Sequence, residues 1–262
     1  MKKSLLLLMF AIASLATLAA HAQPGPRGRG LGGPPAGPQF GGDLGKIFGE
    51  HQAFSANLEF HITSSNATES TTMPGKLAYL DGKSRFEMNL AEMKSAQMPP
   101  GAAAQMKEMG MDKTIAISRP DKKTTSLVYP GMQSYVESPI RDAESAKPES
   151  AFTIEVTKIG KETVAGHECV KNKVVSTDKE GKTHESTVWN AADLKNFPVK
   201  IETTEAGSSV VMLFKDVSFT KPEAAQFEPP ADFTKYDNMM GMMRDQMMKR
   251  MGGAGGFAPP GQ

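Results

Sequence analysis

Apolar and polar positions alternate along most of the chain. Phe54, Ala56, Leu58, Phe60 and Ile62 fall on one side of an extended segment, with Ser55, Asn57, Glu59 and His61 on the other. That period of two is what a half-buried strand requires. Gly75 to Leu80 and Lys83 to Leu90 flank Asp81-Gly82, a two-residue hairpin signal. In its second arm Phe86, Met88 and Leu90 share one face, and Arg85 and Glu87 the other. Strand-like runs follow at Lys113 to Ser118, Thr124 to Tyr129 and Gln133 to Glu137, with a polar connection from Ile140 to Ser150. From Phe152 to Phe219 the pattern predicts a meander. Phe152, Ile154 and Val156 alternate with polar neighbours, and a turn region at Gly160 and Gly166 precedes strands at His167 to Val175 and Lys182 to Trp189. The loop Asn190 to Asn196 leads into Phe197, Val199 and Ile201, and the last strand is Val210 to Phe214. Turns are expected at Lys179-Glu180-Gly181 and Glu205-Ala206-Gly207.

Two stretches break the alternation. Ala91 to Asp112 reads as a loop carrying a short helix from Ala102 to Met109, and Asp237 can cap a helix with Met240, Met243, Met247 and Met251 down one side. Gly252-Gly253 ends that helix, with Arg244, Lys249 and Arg250 towards its C-terminus, where the dipole favours positive charge. About ten short antiparallel strands curl or close when they form one sheet. The expected fold is therefore mainly β within an α+β class. It is a strongly curved antiparallel sheet or incomplete barrel, with short helices over its concave face.

The termini set the compartment. Met1 to Ala22 has a basic start, an apolar run from Leu5 to Ala20 and Ala20-His21-Ala22 before Gln23, the pattern of a cleaved secretory signal peptide. The apolar run is short for a bilayer span of about 20 residues. Residues 23–45 hold nine Gly and five Pro and read as a disordered linker. The folded unit then spans 46–236, the Met-rich helix 237–251, and a Gly/Pro-rich tail 252–262. Lys and Arg number 30 against 29 Asp and Glu, a formal charge of +1, which steers nothing towards nucleic acid. A periplasmic location is expected.

Chemical machinery is sparse. There is no nucleophile elbow, phosphate-binding glycine loop, zincin helix or cysteine pair. Cys169 is the single cysteine, so it forms no internal disulfide, and it reads as a small apolar residue packed in a strand. His51, His61, His167 and His184 sit on separate elements, and only strand pairing could bring His167 near His184 for zinc. No cofactor or metal ligand set is assigned and the expectation is a non-enzymatic protein. Methionine stands out. Of 18, six lie between Met88 and Met111 and seven between Met239 and Met251, which suggests that both segments pack over the same surface. Such side chains can fill gaps in a core, form an adaptable apolar pocket or lid, bind Cu(I) or Ag(I) through thioethers, or lie on a membrane surface.

Ile159-Gly160-Lys161-Glu162-Thr163-Val164-Ala165-Gly166, Val188-Trp189-Asn190, Phe197-Pro198-Val199-Lys200-Ile201 and Phe227-Glu228-Pro229-Pro230 together resemble an uncharacterised family of exported bacterial proteins related to the lipoprotein carriers LolA and LolB. The resemblance covers roughly Phe54 to Phe233 and implies a bent sheet whose concave apolar side is closed by helices and, in carriers of this kind, holds acyl chains. The expected ligand is a lipid or acyl chain. Its walls would be Phe54, Leu58, Phe60, Phe86, Met88, Leu213 and Phe214, and its lid Met106, Met109, Met240, Met243 and Met247. An envelope protein partner, a peripheral membrane contact and soft-metal binding are the competing roles.

Overall fold

β1 (Ala53–Thr63) is the strand on which the two halves of the chain meet. In the computed structural model the described residues are 48, 50–63, 70–95, 98–140, 153–177, 183–205 and 208–253. The expected leader, linker and most of the tail lie outside them, as do residues 141–152 and the turns at Lys179-Glu180-Gly181 and Ala206-Gly207.

From β1 the first half runs outward through β2 (Ser70–Leu80), β3 (Lys83–Asn89), the two-residue β4 (Lys94–Ser95), α1 (Ala102–Glu108), β5 (Lys113–Arg119), β6 (Thr124–Tyr129) and β7 (Ser134–Pro139). The second half enters at the far edge with β8 (Thr153–Val164). It returns through β9 (His167–Thr177), β10 (Thr183–Ala191) and β11 (Phe197–Glu205) to β12 (Ser208–Ser218), which pairs with β1. β13 (Thr234–Tyr236) adds to β7, and α2 (Met239–Gly253) follows.

The result is one sheet of 13 strands in the order β13-β7-β6-β5-β3-β2-β1-β12-β11-β10-β9-β8, with β4 paired to β2; its two ends do not pair, so the sheet is not closed. The pairing is antiparallel except between β13 and β7, which run parallel.

Local chemistry explains the tight connections. Asp81 and Gly82 both take positive φ, 49° and 84°, the pair of left-handed positions of a type I′ turn. Ala165 and Gly166 do the same at 50° and 87°. Gly160 is not a turn residue: β8 continues past it through a register shift between Lys158 and Gly160 and ends at Val164. A β-bulge absorbs the extra residue without ending the strand.

The register sorts side chains onto two faces. Leu58 lies opposite Phe214, Leu77 opposite both Ala56 and Phe86, and Ile201 opposite both Met212 and Val188. These residues build the main core, a continuous buried cluster from Phe86 and Leu90 at one side to Val174 and Val188 at the other. The opposite face of β2, β5 and β6 is covered by Phe227, which buries with Ala78, Leu80, Ile117 and Val128. Two arginines fasten that cover. Arg119 donates to the Phe227 carbonyl at 3.2 Å and to both carboxylate oxygens of Asp121 at 2.8 Å, and pairs with Glu228. Arg85 donates to the Gln226 carbonyl at 3.0 Å.

The helices do not both lie across the sheet as expected. α2 makes its main contacts with β7 and β13 at the sheet's edge, while α1 contacts the short turn Leu90–Glu92. Asn238, not Asp237, caps α2: its side-chain oxygen accepts from the Gly241 N–H at 2.8 Å.

Candidate functional site

The main core face brings together six of the seven expected wall residues. Phe54, Leu58, Phe60, Phe86, Met88 and Phe214 are all 0–4% exposed and belong to one cluster. Leu213 departs from them. It lies opposite Glu59 and Lys200 in register, so it shares their side of the sheet and meets the cluster only at its margin, half-buried. Alternation along β12 allows Phe214 or Leu213 on the core side, not both.

Phe48, ahead of β1, fills the middle of this face. Its ring lies 4.4 Å from Phe54, 5.4 Å from Phe197, 5.6 Å from Phe214 and 5.9 Å from Tyr79, centroid to centroid. Edge-on and offset ring contacts of this kind each add about 0.5–1.5 kcal/mol beyond burial. His51 stacks on Phe219 at 5.1 Å and meets Phe197 at 5.3 Å, and burial lowers its pKa. The wall is thus closed by the protein's own aromatic groups. Nothing in the sequence pattern pointed to Phe48, which stands alone outside any periodic run.

Open space lies beside the core. A cleft of about 620 Å³ is lined by Ser70, Thr72, Met93, Lys94, Ser95, Met98, Pro99, Gly101 and Ala103. Met93 also packs against the main core, as does Met106 of α1. The cleft therefore has an apolar floor continuous with the core and a rim carrying hydroxyls and the Lys94 ammonium. Thr71 donates its hydroxyl to Ser95 Oγ at 2.9 Å, fastening β4 to β2 along that rim.

The remaining lid methionines separate. Met109 is 37% exposed, and Met240 and Met247 are 84% and 64% exposed. Met243 is half-buried on a different cluster with Met111, Met132 and Met242, at the β6–β7 end of the sheet. The buried side of α2 is therefore the one carrying Met242, with Met239 and Met243 beside it, not the predicted stripe through Met240 and Met247.

The block Glu162, Trp189, Asn190 and Lys200 forms a brace on β8–β11. Trp189 is 2% exposed, with the Lys200 ammonium 4.0 Å and the Lys171 ammonium 4.8 Å from its ring centroid. Its Nε1 donates to Glu162 Oε2 at 2.8 Å, which holds the Glu162 carboxyl below its usual range, with Lys171 and Lys200 acting in the same direction. Asn172 Nδ2 donates to Asn190 Oδ1 at 3.0 Å, and Asn190 Nδ2 to the Asn196 carbonyl at 3.0 Å. The bonds of Trp189 and Asn190 in this group are all made within the fold.

Cys169, His167 and Asp193 lie close together, the types that build thiol catalysis. Their geometry does not. His167 Nδ1 meets Asp193 Oδ2 at 2.7 Å, but the Cys169 thiol donates to the His167 backbone carbonyl at 3.4 Å and is 2% exposed, and burial pushes its pKa up. A reactive thiol needs the opposite shift. His167 and His184 are not brought together: Cys169 pairs with Ala191 at one end of the β9–β10 ladder and Ser176 with His184 at the other. Among the described residues no three His, Cys, Asp or Glu side chains cluster to hold a metal ion, and no helix is long and apolar enough to cross a membrane.

Residues 70–196 match a domain of unknown function, DUF4412. That agrees with the resemblance to an uncharacterised family. The match takes in the cleft and the Glu162–Trp189–Asn190 part of the brace, and stops before Lys200. No curated protein matches the chain. The structure is similar to the Mycobacterium tuberculosis lipoprotein LppX, with 11% identity, a TM-score of 0.36 and coverage of 61% of this chain and 84% of that one. It is also similar to the Pseudomonas aeruginosa MucA/MucB complex, with 13% identity, a TM-score of 0.37 and coverage of 70% and 57%, so the chain spans little more than half of that relative. A LolA superfamily protein from Nitrosomonas europaea gives 8% identity, a TM-score of 0.32 and coverage of 68% and 91%. None of these likenesses carries an activity across to this chain.

Proposed function

We propose that the protein is an exported, non-enzymatic binder of a hydrophobic, lipid-like ligand, taken up in the cleft beside Met93 and Met98. The observation that supports this is the continuity of that cleft with the core: Met93 lines the open space and packs on the aromatic face behind it. Flexible thioether side chains adapt to chains of varied shape, and about 300–1,000 Å³ is the usual range for a small-molecule pocket. Lys94, Ser70, Thr72 and Ser95 supply a charge and hydroxyls for a polar or anionic head group, while the aliphatic part lies along Met93, Met98 and Ala103. Met106, expected in a lid, reaches the same core from α1.

Titration with a fluorescent fatty acid tests this reading. Saturable binding that Met93→Asp weakens by more than about tenfold, and that Met240→Asp on the exposed side of α2 leaves unchanged, is the expected result. Equal affinity in the wild type and in Met93→Asp would remove the cleft as the site. Native mass spectrometry of protein purified from an envelope extract without detergent identifies the ligand class through adducts of lipid mass.

A further inference from the structure

Three methionines from distant parts of the chain converge at the β6–β7 end of the sheet. Met111 follows α1, Met132 lies in the turn after β6, and Met242 is on α2; they are 4%, 8% and 0% exposed. Met239 and Met243 pack against them, half-buried, with Leu127, Tyr129, Val136 and Tyr236 completing the surroundings. The two Met-rich stretches of the sequence thus meet at one point.

The backbone holds them there. Gly110 and Gly131, the residues just before Met111 and Met132, touch backbone to backbone, so closely that a Cβ on Gly131 would lie 2.6 Å from Gly110 Cα. The Met111 N–H donates to the Met106 carbonyl at 2.8 Å. On the helix side, the Asn238 cap sets the first turn of α2, Gln246 Nε2 donates to the Met132 carbonyl at 3.1 Å and to Ser134 Oγ at 3.2 Å, and Arg250 donates to the Glu108 carbonyl at 2.8 Å. Polar ties therefore position α2 over Met132 independently of the thioethers.

We propose that Met111, Met132 and Met242, with Met239 and Met243 at the rim, form a thioether site for a soft monovalent cation, Cu(I) or Ag(I). The donor chemistry sets the class. Thioether sulfur is neutral and polarizable and selects such ions, while Zn2+, Mg2+ and Ca2+ call for thiolate, imidazole or carboxylate groups, none of which is among the residues of this cluster. Met239 and Met243 are partly exposed and give the ion a way in, and Asp245, bonded to Tyr236 of the cluster, supplies an anionic group beside it. The site is separate from the cleft, which no residue of this cluster lines.

The test is anaerobic titration of the full mature chain with Ag(I), and with Cu(I) against a chromophoric Cu(I) chelator, followed by native mass spectrometry and by NMR of methyl-labelled methionine. One equivalent is expected to bind, moving the methyl signals of Met111, Met132 and Met242. The Met111→Leu/Met132→Leu/Met242→Leu variant keeps the packing volume and should lose affinity by more than about tenfold, while Met240→Leu/Met247→Leu/Met248→Leu on the exposed side keeps it. Failure of the wild type to compete with the chelator, unchanged affinity in the buried triple variant, or methyl shifts confined to Met240, Met247 and Met248 would each overturn the site. The methyl shifts are read on the wild type, so that arm decides even if the triple variant unfolds. Fatty-acid binding should be the same in both triple variants.

Discussion

Replacing Gly110 or Gly131 by alanine separates two costs that meet at one contact. A Cβ at Gly131 would lie 2.6 Å from Gly110 Cα and 2.7 Å from its carbonyl oxygen; a Cβ at Gly110 would lie 2.7 Å from both the carbonyl carbon and oxygen of Gly131. These neighbours are backbone, so no rotamer change relieves the overlap, and the two segments must part. Overpacking of that kind costs about 1–3 kcal/mol. Gly110 carries a second cost, because its φ is +71° and a left-handed conformation costs an L-residue a further 1–2 kcal/mol or so. Gly131 is outside that region and isolates the steric part. Urea unfolding followed by the fluorescence of Trp189, the single tryptophan, should therefore order stability as wild type, then Gly131→Ala, then Gly110→Ala. For a domain of this size each kcal/mol moves Tm by about 2–4 °C. The double variant should lose less than the sum, since the first alanine already separates the backbones. A Gly131→Ala protein as stable as wild type, or a Gly110→Ala protein no worse than Gly131→Ala, would refute the account of how Met111 and Met132 are held together.

Three further outcomes follow from the same structure. Hydrogen bonding from Arg119 lowers the Asp121 pKa to about 2. The carboxylate therefore adds stability above the unfolded value of about 3.9, and that contribution disappears as the pH falls through 2. The stability difference between wild type and Asp121→Asn should narrow across that window, and carboxyl NMR titration of Asp121 checks the midpoint. Burial raises the Tyr129 pKa to about 12, so stability drawn from keeping it neutral is complete below about pH 10 and lost as the pH rises towards 12. Tyr79 and Tyr236 are also shifted upward, and ultraviolet titration of Tyr129→Phe should lose one late-ionising component near pH 12 while the other tyrosines titrate as in the wild type. The Cys169 thiol, buried and shifted upward, should resist a disulfide reagent in the folded protein and react fully in denaturant; fast reaction at neutral pH under native conditions would contradict its packing.

Elements with one buried face were legible because burial writes a period of two into the residues. β1 reads directly from Phe54, Ala56, Leu58 and Phe60, and the β2–β3 turn from Asp81-Gly82, whose positive φ values are what that dipeptide accommodates. Where the same residue type occupies many positions, periodicity stops deciding. Seven methionines between Met239 and Met251 leave several faces of α2 equally apolar, and the choice of Met242 as the buried one falls to tertiary ties made by Gln246 and Arg250. Leu213 and Phe214 are both large and apolar, so only the register against Glu59 and Leu58 tells them apart. Phe48 has no pattern around it, and its burial depends on four rings from β1, β2, β11 and β12. The partners of Arg119, Phe227 and Glu228, are more than a hundred positions away, so no local pattern points to them.

The residues that carry the family resemblance and those that carry the two proposed sites are different sets. Trp189 bonds to Glu162 and lies under Lys200, and Asn190 is tied to Asn172 and Asn196, so a chain sharing these residues shares a way of bracing four strands. Fold and function are separable on those terms. The cleft is built wholly from positions between Ser70 and Ala103, inside the matched stretch 70–196. The methionine cluster draws Met111 and Met132 from that stretch but Met239, Met242 and Met243 from beyond it. A chain with the matched stretch and no helix like α2 would keep the proposed apolar cleft and lack three of the five thioethers. Within this protein the same logic makes the two proposed binding sites independent: Met93→Asp should weaken fatty-acid binding without touching Ag(I) uptake, and Met242→Leu should do the reverse. If either substitution depressed both, the cleft and the cluster would be coupled through α1, whose Met106 packs on the core and whose Glu108 carbonyl receives Arg250.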